Sequence, residues 1–376
     1  MKKLRAMLIA AGFCAAAHAA NLPPVQTVFV ILLENHDWED IAGSTNAPFI
    51  NGTLLPLASY CGQYYNPPGL HPSEPNYLWL VAGTNFGILD DNDPAINHQH
   101  TTNHLAAQLI RAGISWKSYQ EDIAGNVVPL TSTNSYTPRH NPFVYFDDLT
   151  GTNNPLDPCG LAHIRPYLEL ASDLTNNAVA RYNFITPNLC DDGHDSCAPL
   201  NNSARQTDAW LASEVPKILN SAAYTNNGAL FITWDESEDG DGPIGMILLS
   251  PLARGGGYTN NIYYTHSSLL RTVQAIFGLS PWLGDAANAT DLSDLFRQLT
   301  ISSARINANG AFCLTVTGVL SGTINFVETS TNLIAWNVIS TNCSSSNSFS
   351  TTDRTMTHLN RRFYRVRQVP LAVTTD

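Results

Sequence analysis

Charge is scarce in this chain. Asp, Glu, Lys and Arg make up 13% of 376 residues, about half the usual share of a soluble domain. Basic residues are the scarcer sign, 19 Lys and Arg against 31 Asp and Glu, for a formal net charge of −12. That balance argues against the basic face of a nucleic-acid binder. Long apolar runs are missing too. Met7 to Ala17 is too short to span a bilayer, and no later segment approaches the roughly twenty apolar residues a span needs. No Cys-x-x-Cys spacing occurs among the seven cysteines, which argues against a structural zinc site. Disorder is excluded by composition, because few charges accompany 14 Phe, 14 Tyr and 7 Trp. The length suits one large domain or two smaller ones.

The start of the chain reads as a secretory signal over residues 1–20. Lys2, Lys3 and Arg5 precede the Ala-rich apolar stretch, and Ala17-His18-Ala19 is a small-x-small cleavage site. Cleavage takes three positive charges, moving the net charge from −12 to −15, and removes Cys14. The expected location is secreted or periplasmic. Six cysteines remain, and an even count in an exported chain predicts three disulfides with fifteen pairings open. Proximity favours Cys190–Cys197 and Cys313–Cys343, leaving Cys61–Cys159.

Val28 to Leu33 is a continuous apolar run and predicts a buried, parallel strand. Gly228 to Trp234 and Ile244 to Leu249 predict two more strands. Helices are expected at Leu105 to Arg111, at Ala204 to Leu219 (kinked or ended by Pro216) and at Ser267 to Phe277, stopped by Gly278. Strands alternating with helices predict an α/β sheet over residues 21–300. Beyond residue 300 the pattern changes to short β runs at Phe312 to Val316, Gly322 to Glu328, Ala335 to Ser340 and Arg362 to Val366. Residues 301–376 therefore read as a small β-sandwich-like domain.

Four places carry chemistry. Glu34-Asn35 follows the first strand, where α/β folds collect ligand groups, and both side chains offer oxygens to a cation. Ser73, in His71-Pro72-Ser73-Glu74-Pro75-Asn76-Tyr77, sits at a helix start, where unpaired N–H groups favour anions. A serine there can attack phosphorus, or simply cap the helix. Asp235-Glu236 ends the strand Gly228 to Trp234, and such hard oxygen ligands suit Mg, Ca or Mn, with Zn also open. His140, His194 and His266 are imidazoles able to steady phosphate oxygens or protonate a leaving group. His98, His100 and His104 lie close together in a spacing that matches no metal motif.

Taken in order, these segments resemble the bacterial and fungal phosphoesterase family of acid phosphatases and phosphatidylcholine-type phospholipases C. That family is similar in fold to alkaline phosphatase. The resemblance runs from about residue 25 to about 280. It also covers Ser115-Trp116-Lys117-Ser118-Tyr119-Gln120-Glu121-Asp122, His140-Asn141-Pro142-Phe143, Pro187-Asn188-Leu189-Cys190-Asp191-Asp192-Gly193-His194 and His266-Ser267-Ser268-Leu269-Leu270-Arg271. It implies an alkaline phosphatase-like sheet flanked by helices. It implies Ser73 as nucleophile and metal ligand, with Glu34, Asn35, Asp235 and Glu236 completing the metal site and His140, His194 and His266 near the phosphate. One or more divalent metal ions would be required.

The implied reaction is displacement on a small phosphomonoester through a phosphoserine. The first motif, Glu34-Asn35-His36-Asp37-Trp38, resembles that of the shorter phosphatase-like members, which favours monoesters over phospholipid diesters. No Cys-x-Pro-x-Arg or Ser-x-Pro-x-Arg segment is present, which argues against sulfate esters. A phospholipase C-like diesterase is one alternative, and a non-catalytic surface or carbohydrate-binding protein on the same fold is another. The β tail resembles a module appended to exported bacterial proteins, with spacing or stability favoured over sugar or surface binding.

Overall fold

Val28 to Leu33 contains no polar side chain, and it lies at the centre of the molecule. The structure is a computed structural model that describes residues 22–370 apart from 134, 239, 309, 321–322, 344–345 and 355–360. The expected signal segment falls outside the described residues. Ten strands precede residue 300: β1 (Thr27–Leu33), β2 (Ser59–Cys61), β3 (Tyr64–Tyr65), β4 (Trp116–Gln120), β5 (Ile164–Pro166), β6 (Tyr182–Thr186), β7 (Gly228–Trp234), β8 (Met246–Leu249), β9 (Tyr258–Asn260) and β10 (Tyr264–Thr265). Eight of them form one sheet in the order β5-β4-β6-β1-β7-β8-β2-β9. β1 pairs in parallel with both β6 and β7, while β8 runs antiparallel to β7 and β2. A strand with parallel neighbours on both sides is covered on both faces. Accordingly, Val28 to Leu33 are at most 1% exposed.

The helix Leu105–Arg111 and the strand Gly228–Trp234 have the predicted bounds. The helix Ser203–Leu219 runs through Pro216. That residue stands in its last turn, where only one helical hydrogen bond is forfeited. Gly278, at φ 65°, closes the helix His266–Phe277 in the left-handed conformation. Strand β6 was not predicted, because Asn183 interrupts its apolar run. Inside the sheet that amide is satisfied, donating to Val28 O (3.1 Å) and Ala180 O (2.8 Å).

The tail contains β11 (Thr300–Ile306), β12 (Phe312–Thr317), β13 (Thr323–Ser330), β14 (Asn337–Asn342), β15 (Ser348–Asp353) and β16 (Phe363–Pro370). They form two antiparallel sheets, β11-β12-β15 and β14-β13-β16, around a small core of Leu314, Val316, Val319 and Val327. The α/β sheet flanked by helices, followed by antiparallel β sheets, is the expected fold class. β11 and β15 were missed because Ser and Thr equal the apolar residues in the first and outnumber them in the second.

The disulfide expectation needs correcting. Cys190–Cys197 forms, with Cα atoms 5.7 Å apart. Cys61 and Cys159 are free thiols. Cys61 lies on β2, and Cys159 lies in the helix Pro158–His163 that leads into β5. Six strand spacings separate β5 from β2, about 29 Å at 4.8 Å each. A disulfide tolerates about 7 Å between Cα atoms. Cys313 and Cys343 are also free. Cys313 is held in β12 opposite Arg305 and Thr352, whereas Cys343 follows β14 on the other sheet.

Candidate active site

The carboxyl ends of β1, β6 and β7 converge. Leu33 stands in register with Trp234, so Glu34 and Asp235 emerge side by side. Asp235 N donates to Leu33 O (2.9 Å), and Glu34 N donates to Asp192 O (2.9 Å). The loop after β6 is thereby stitched to the same point. Asn35 has φ 35°, a left-handed conformation that Asn tolerates better than most residues. The turn aims its N–H at Asp235 Oδ1 (3.1 Å). Its amide end lies 3.2 Å from both Glu34 Oε2 and Asp235 Oδ1. Turned one way its nitrogen donates to both, and turned the other its oxygen faces them as it would face a shared cation.

Ser73 is the first residue of the helix Ser73–Ala82, and Pro72 occupies the capping position. The hydroxyl is therefore not spent on the helix end, and it donates to Glu34 Oε2 (3.2 Å). One turn on, the Tyr77 hydroxyl donates to Glu34 Oε1. The Tyr77 ring stacks on His140 with centroids 5.2 Å apart, fixing the imidazole from the side.

His140 joins two carboxylates. Its Nδ1 is 3.1 Å from Asp192 Oδ2, and its Nε2 is 3.3 Å from Glu34 Oε2. Burial, with the Arg139 guanidinium and His194 alongside, holds this imidazole well below the usual histidine range. A neutral ring has one N–H to give. Nε2 accepts from Arg139 Nε (3.3 Å), so Nδ1–H goes to Asp192. Nε2 and Glu34 Oε2 then face each other as two acceptors, an arrangement that favours a cation or a shared proton between them.

The loop bearing Asp192 and His194 is closed by the Cys190–Cys197 disulfide. Gln206 pins it further: Cys197 N donates to Gln206 Oε1 (2.7 Å), and Gln206 Nε2 donates to Cys190 O (2.7 Å). Gly193 has φ 100°, and a Cβ there would stand 2.7 Å from Thr207 Oγ1, so only glycine fits this turn. His194 N donates to Asp192 Oδ1 (2.8 Å), and its ring meets Arg139 (3.1 Å) and Asp195 (2.8 Å).

Glu34, Asp192 and Asp235 are fully buried, and Glu236 is 6% exposed. Burial raises the first three carboxyls well above the usual range. The charges of Asp235 and Asp192 add to the effect at Glu34, and that of Glu236 adds to it at Asp235. Burial and the charge of Asp91 push Glu236 up to about 8. Among the described residues, the ion-pair partners of Glu34, Asp192 and Glu236 are histidines. Asp235 Oδ2 is buried with no hydrogen-bond partner. Effective burial of an ion costs several kcal/mol unless it is compensated. Clustered carboxylates with an orphaned oxygen fit a divalent cation.

The structure brings Glu34, Asn35, Ser73, Asp235 and His140 into direct contact. Glu236 stands beside them, but its Oε2 takes His71 Nδ1 (2.7 Å) and Asn76 Nδ2 (3.0 Å). His194 is at the rim. His266 lies behind Asp235, with Nε2 2.5 Å from Asp235 O and Nδ1 3.2 Å from the Tyr64 hydroxyl. Burial lowers it to about 4, so the ring is neutral and grips the Asp235 backbone. Sequence reasoning assigned no role to Asp192, Tyr77 or Arg139. Each adjoins or lies within a segment singled out for a neighbour, and that adjacency was the available signal.

Residues 59–280 match the Phosphoesterase family. The chain is 31% identical over 280 residues to a phosphatidylinositol-3-phosphatase of Mycobacterium tuberculosis, covering 74% of this chain and 85% of that protein. It is 30% identical over 269 residues to an acid phosphatase of Aspergillus fumigatus, covering 68% of this chain and 55% of that protein. The chain thus spans little more than half the length of the fungal relative. Among solved structures it is similar to a protein of the alkaline phosphatase superfamily from Vibrio parahaemolyticus, with 9% identity and a TM-score of 0.47 over 79% of this chain and 78% of that one. The chain belongs to the Phosphoesterase family. It is a hydrolase of phosphate esters.

Proposed function

We propose that the chain is an exported, metal-dependent phosphomonoesterase that turns over through a phosphoserine at Ser73. The observation that carries this reading is the Ser73 hydroxyl 3.2 Å from Glu34 Oε2, at a helix start among buried carboxylates. Glu34, Asn35, Asp235 and Ser73 would hold a divalent cation, with Glu236 at its edge and Asp192 and His140 behind Glu34. The oxygen-rich donor set admits Mg, Ca, Mn or Zn. When bound, such a cation supplies a lowered hydroxyl pKa and charge compensation for phosphate.

The chain's own residues do the rest. Ser73 gives its proton to Glu34 Oε2, already its hydrogen-bond acceptor, as its oxygen bonds to phosphorus. The bond from phosphorus to the leaving oxygen breaks on the opposite side, and that oxygen takes a proton from His194 or solvent. Arg139 and His194 face the non-bridging oxygens from the rim. Water then attacks phosphorus from the vacated side and loses a proton to solvent. The bond from phosphorus to Ser73 Oγ breaks, and that oxygen takes back the proton held by Glu34 Oε2, releasing phosphate. His140 orients Glu34 and Asp192, and His266 positions Asp235.

The phosphatase names of the curated relatives support monoesters. The Cys190–Cys197 disulfide supports an oxidising compartment, in line with the signal read at residues 1–20. Among the described residues no helix is long and apolar enough to cross a membrane. Within this reading, residues 21–300 are the catalytic domain and 301–376 an appended β module that acts as a spacer or surface contact.

The test compares p-nitrophenyl phosphate with p-nitrophenyl phosphorylcholine, for wild type and Ser73→Ala, before and after metal stripping. Faster monoester cleavage is expected, lost on stripping and reduced about 10³-fold or more without the nucleophile. An unchanged rate in folded Ser73→Ala overturns the nucleophile assignment. Faster phosphorylcholine cleavage moves the substrate to diesters. No turnover with any divalent metal leaves a binding scaffold.

A further inference from the structure

A second cluster of ligand atoms stands apart from the carboxylate site. We propose that His98, His100 and Asp147 form a zinc site. The backbone builds it. Gln99 N donates to Tyr145 O (2.6 Å), Asp147 N donates to Gln99 O (3.1 Å), and Gln99 forms a parallel bridge with Phe146. This holds residues 98–100 extended beside the turn that carries Asp147. Side chains two apart on an extended segment leave on the same side, so both imidazoles reach one carboxylate. His98 Nδ1 is 2.9 Å from Asp147 Oδ1, and His100 Nδ1 lies against Asp147 Oδ2. The rings meet edge to face with centroids 4.8 Å apart.

The three ligand atoms lie within 4.8 Å of one another. Ligands about 2.0–2.2 Å from a tetrahedral zinc are themselves separated by about 3.3 Å, so the cluster needs only small rotamer adjustments to close on an ion. Two imidazoles and one carboxylate match zinc better than the all-oxygen preference of Mg or Ca. His100 has 74% of its side chain exposed, leaving a fourth position open to water.

The neighbouring His104 shows the contrast. Its Nε2 meets Asp148 Oδ1 (2.9 Å), its Nδ1 accepts from Ala107 N (3.3 Å), and its buried ring stacks on Phe146. Both of its nitrogens are committed, which makes it a structural residue. The zinc site has a consequence for the fold. Asn97, immediately before His98, donates to Glu74 Oε2 (3.0 Å), and Glu74 follows Ser73. Zinc at His98, His100 and Asp147 therefore anchors the segment that supports the first turn of the Ser73–Ala82 helix.

The experiment uses the full chain in two forms, Asp235→Asn and Asp235→Asn with His98→Ala/His100→Ala. The first substitution suppresses binding at the carboxylate site. Both proteins are stripped with chelator, supplied with stoichiometric zinc, desalted and measured by elemental analysis, with circular dichroism as the folding check. The first is expected to hold one zinc equivalent more than the second. Cobalt in place of zinc is expected to give the visible bands of a four-coordinate ion only in the first. Should the triple variant unfold, His100→Ala alone, at an exposed position, is expected to weaken zinc binding at least about 10-fold. Equal zinc content, or unchanged affinity in His100→Ala, overturns the proposal.

Discussion

Asp235→Asn provides a test in which the order of stability reverses with metal. The substitution keeps shape and removes one charge. In the folded chain Asp235 is fully buried, its Oδ2 has no partner, and Glu34 and Glu236 raise its energy further. The amide retains an oxygen for the Asn35 N–H, which now donates to Oδ1, and it turns an N–H₂ toward neighbouring carboxylates. An uncompensated buried ion costs several kcal/mol, of which the substitution relieves a part, about 2–3 kcal/mol. In chelator, Asp235→Asn is therefore expected to be more stable than wild type, with a midpoint higher by roughly 5 °C. With metal the sign changes. A ligand at a hundredfold excess over its Kd stabilises the native state by about 2.7 kcal/mol, and only wild type gains this increment in full. The assay is thermal unfolding of both proteins in EDTA and in each of Mg, Ca, Mn and Zn. A variant less stable than wild type in EDTA would mean that the carboxylate is compensated within the protein. An equal metal increment in both proteins would mean that Asp235 is not a ligand. Either result refutes the reasoning.

Two further predictions concern the scaffold. Burial pushes Glu121 up to about 7 from 4.5, against hydrogen bonds from Asn188 N and Trp210 Nε1. The folded state then binds the proton more tightly than the unfolded state, so stability from this group is full below pH 4.5 and falls as pH rises through 7. The loss is up to about 3 kcal/mol. Glu121→Gln should flatten that slope, and urea unfolding at pH 5 and pH 8 checks it; an unchanged slope removes Glu121 as its source. Gly245 has φ 77°, and a Cβ there would stand 2.0 Å from the Trp38 ring, which packs against Tyr60 and Trp234. Gly245→Ala should cost about 3 kcal/mol or more from overpacking and backbone strain together. A midpoint within a degree of wild type would show that Trp38 has room to move.

Much of the site is local in origin, and so is legible in the chain. Glu34-Asn35 and Asp235-Glu236 each follow a largely apolar strand, and the end of such a strand in an α/β sheet is where polar groups become reachable. Ser73 was marked by its place at a helix start. The remaining contacts depended on packing. His140 and Asp192 are 52 positions apart and meet only because β6 inserts between β1 and β4. Glu236 directly follows Asp235 and His266 opens a helix 31 positions after Asp235, yet their side chains turn to His71 and Asn76 and to the Asp235 backbone, respectively.

The cysteines divide the same way. Cys190 and Cys197 are close enough along the chain for a local loop to join them, and they pair. Sequence proximity could not place Cys61 and Cys159, which strand order sends to opposite sides of the sheet. The sequence by itself determined the apolar central strands β1, β7 and β8, several helix ends and the chemical character of the candidate site, because hydrophobic period, capping and residue type act over a few residues. Which acids share one buried space, which histidine faces them and which thiols meet were decided by strand order and register, which bring together residues that no local interaction connects.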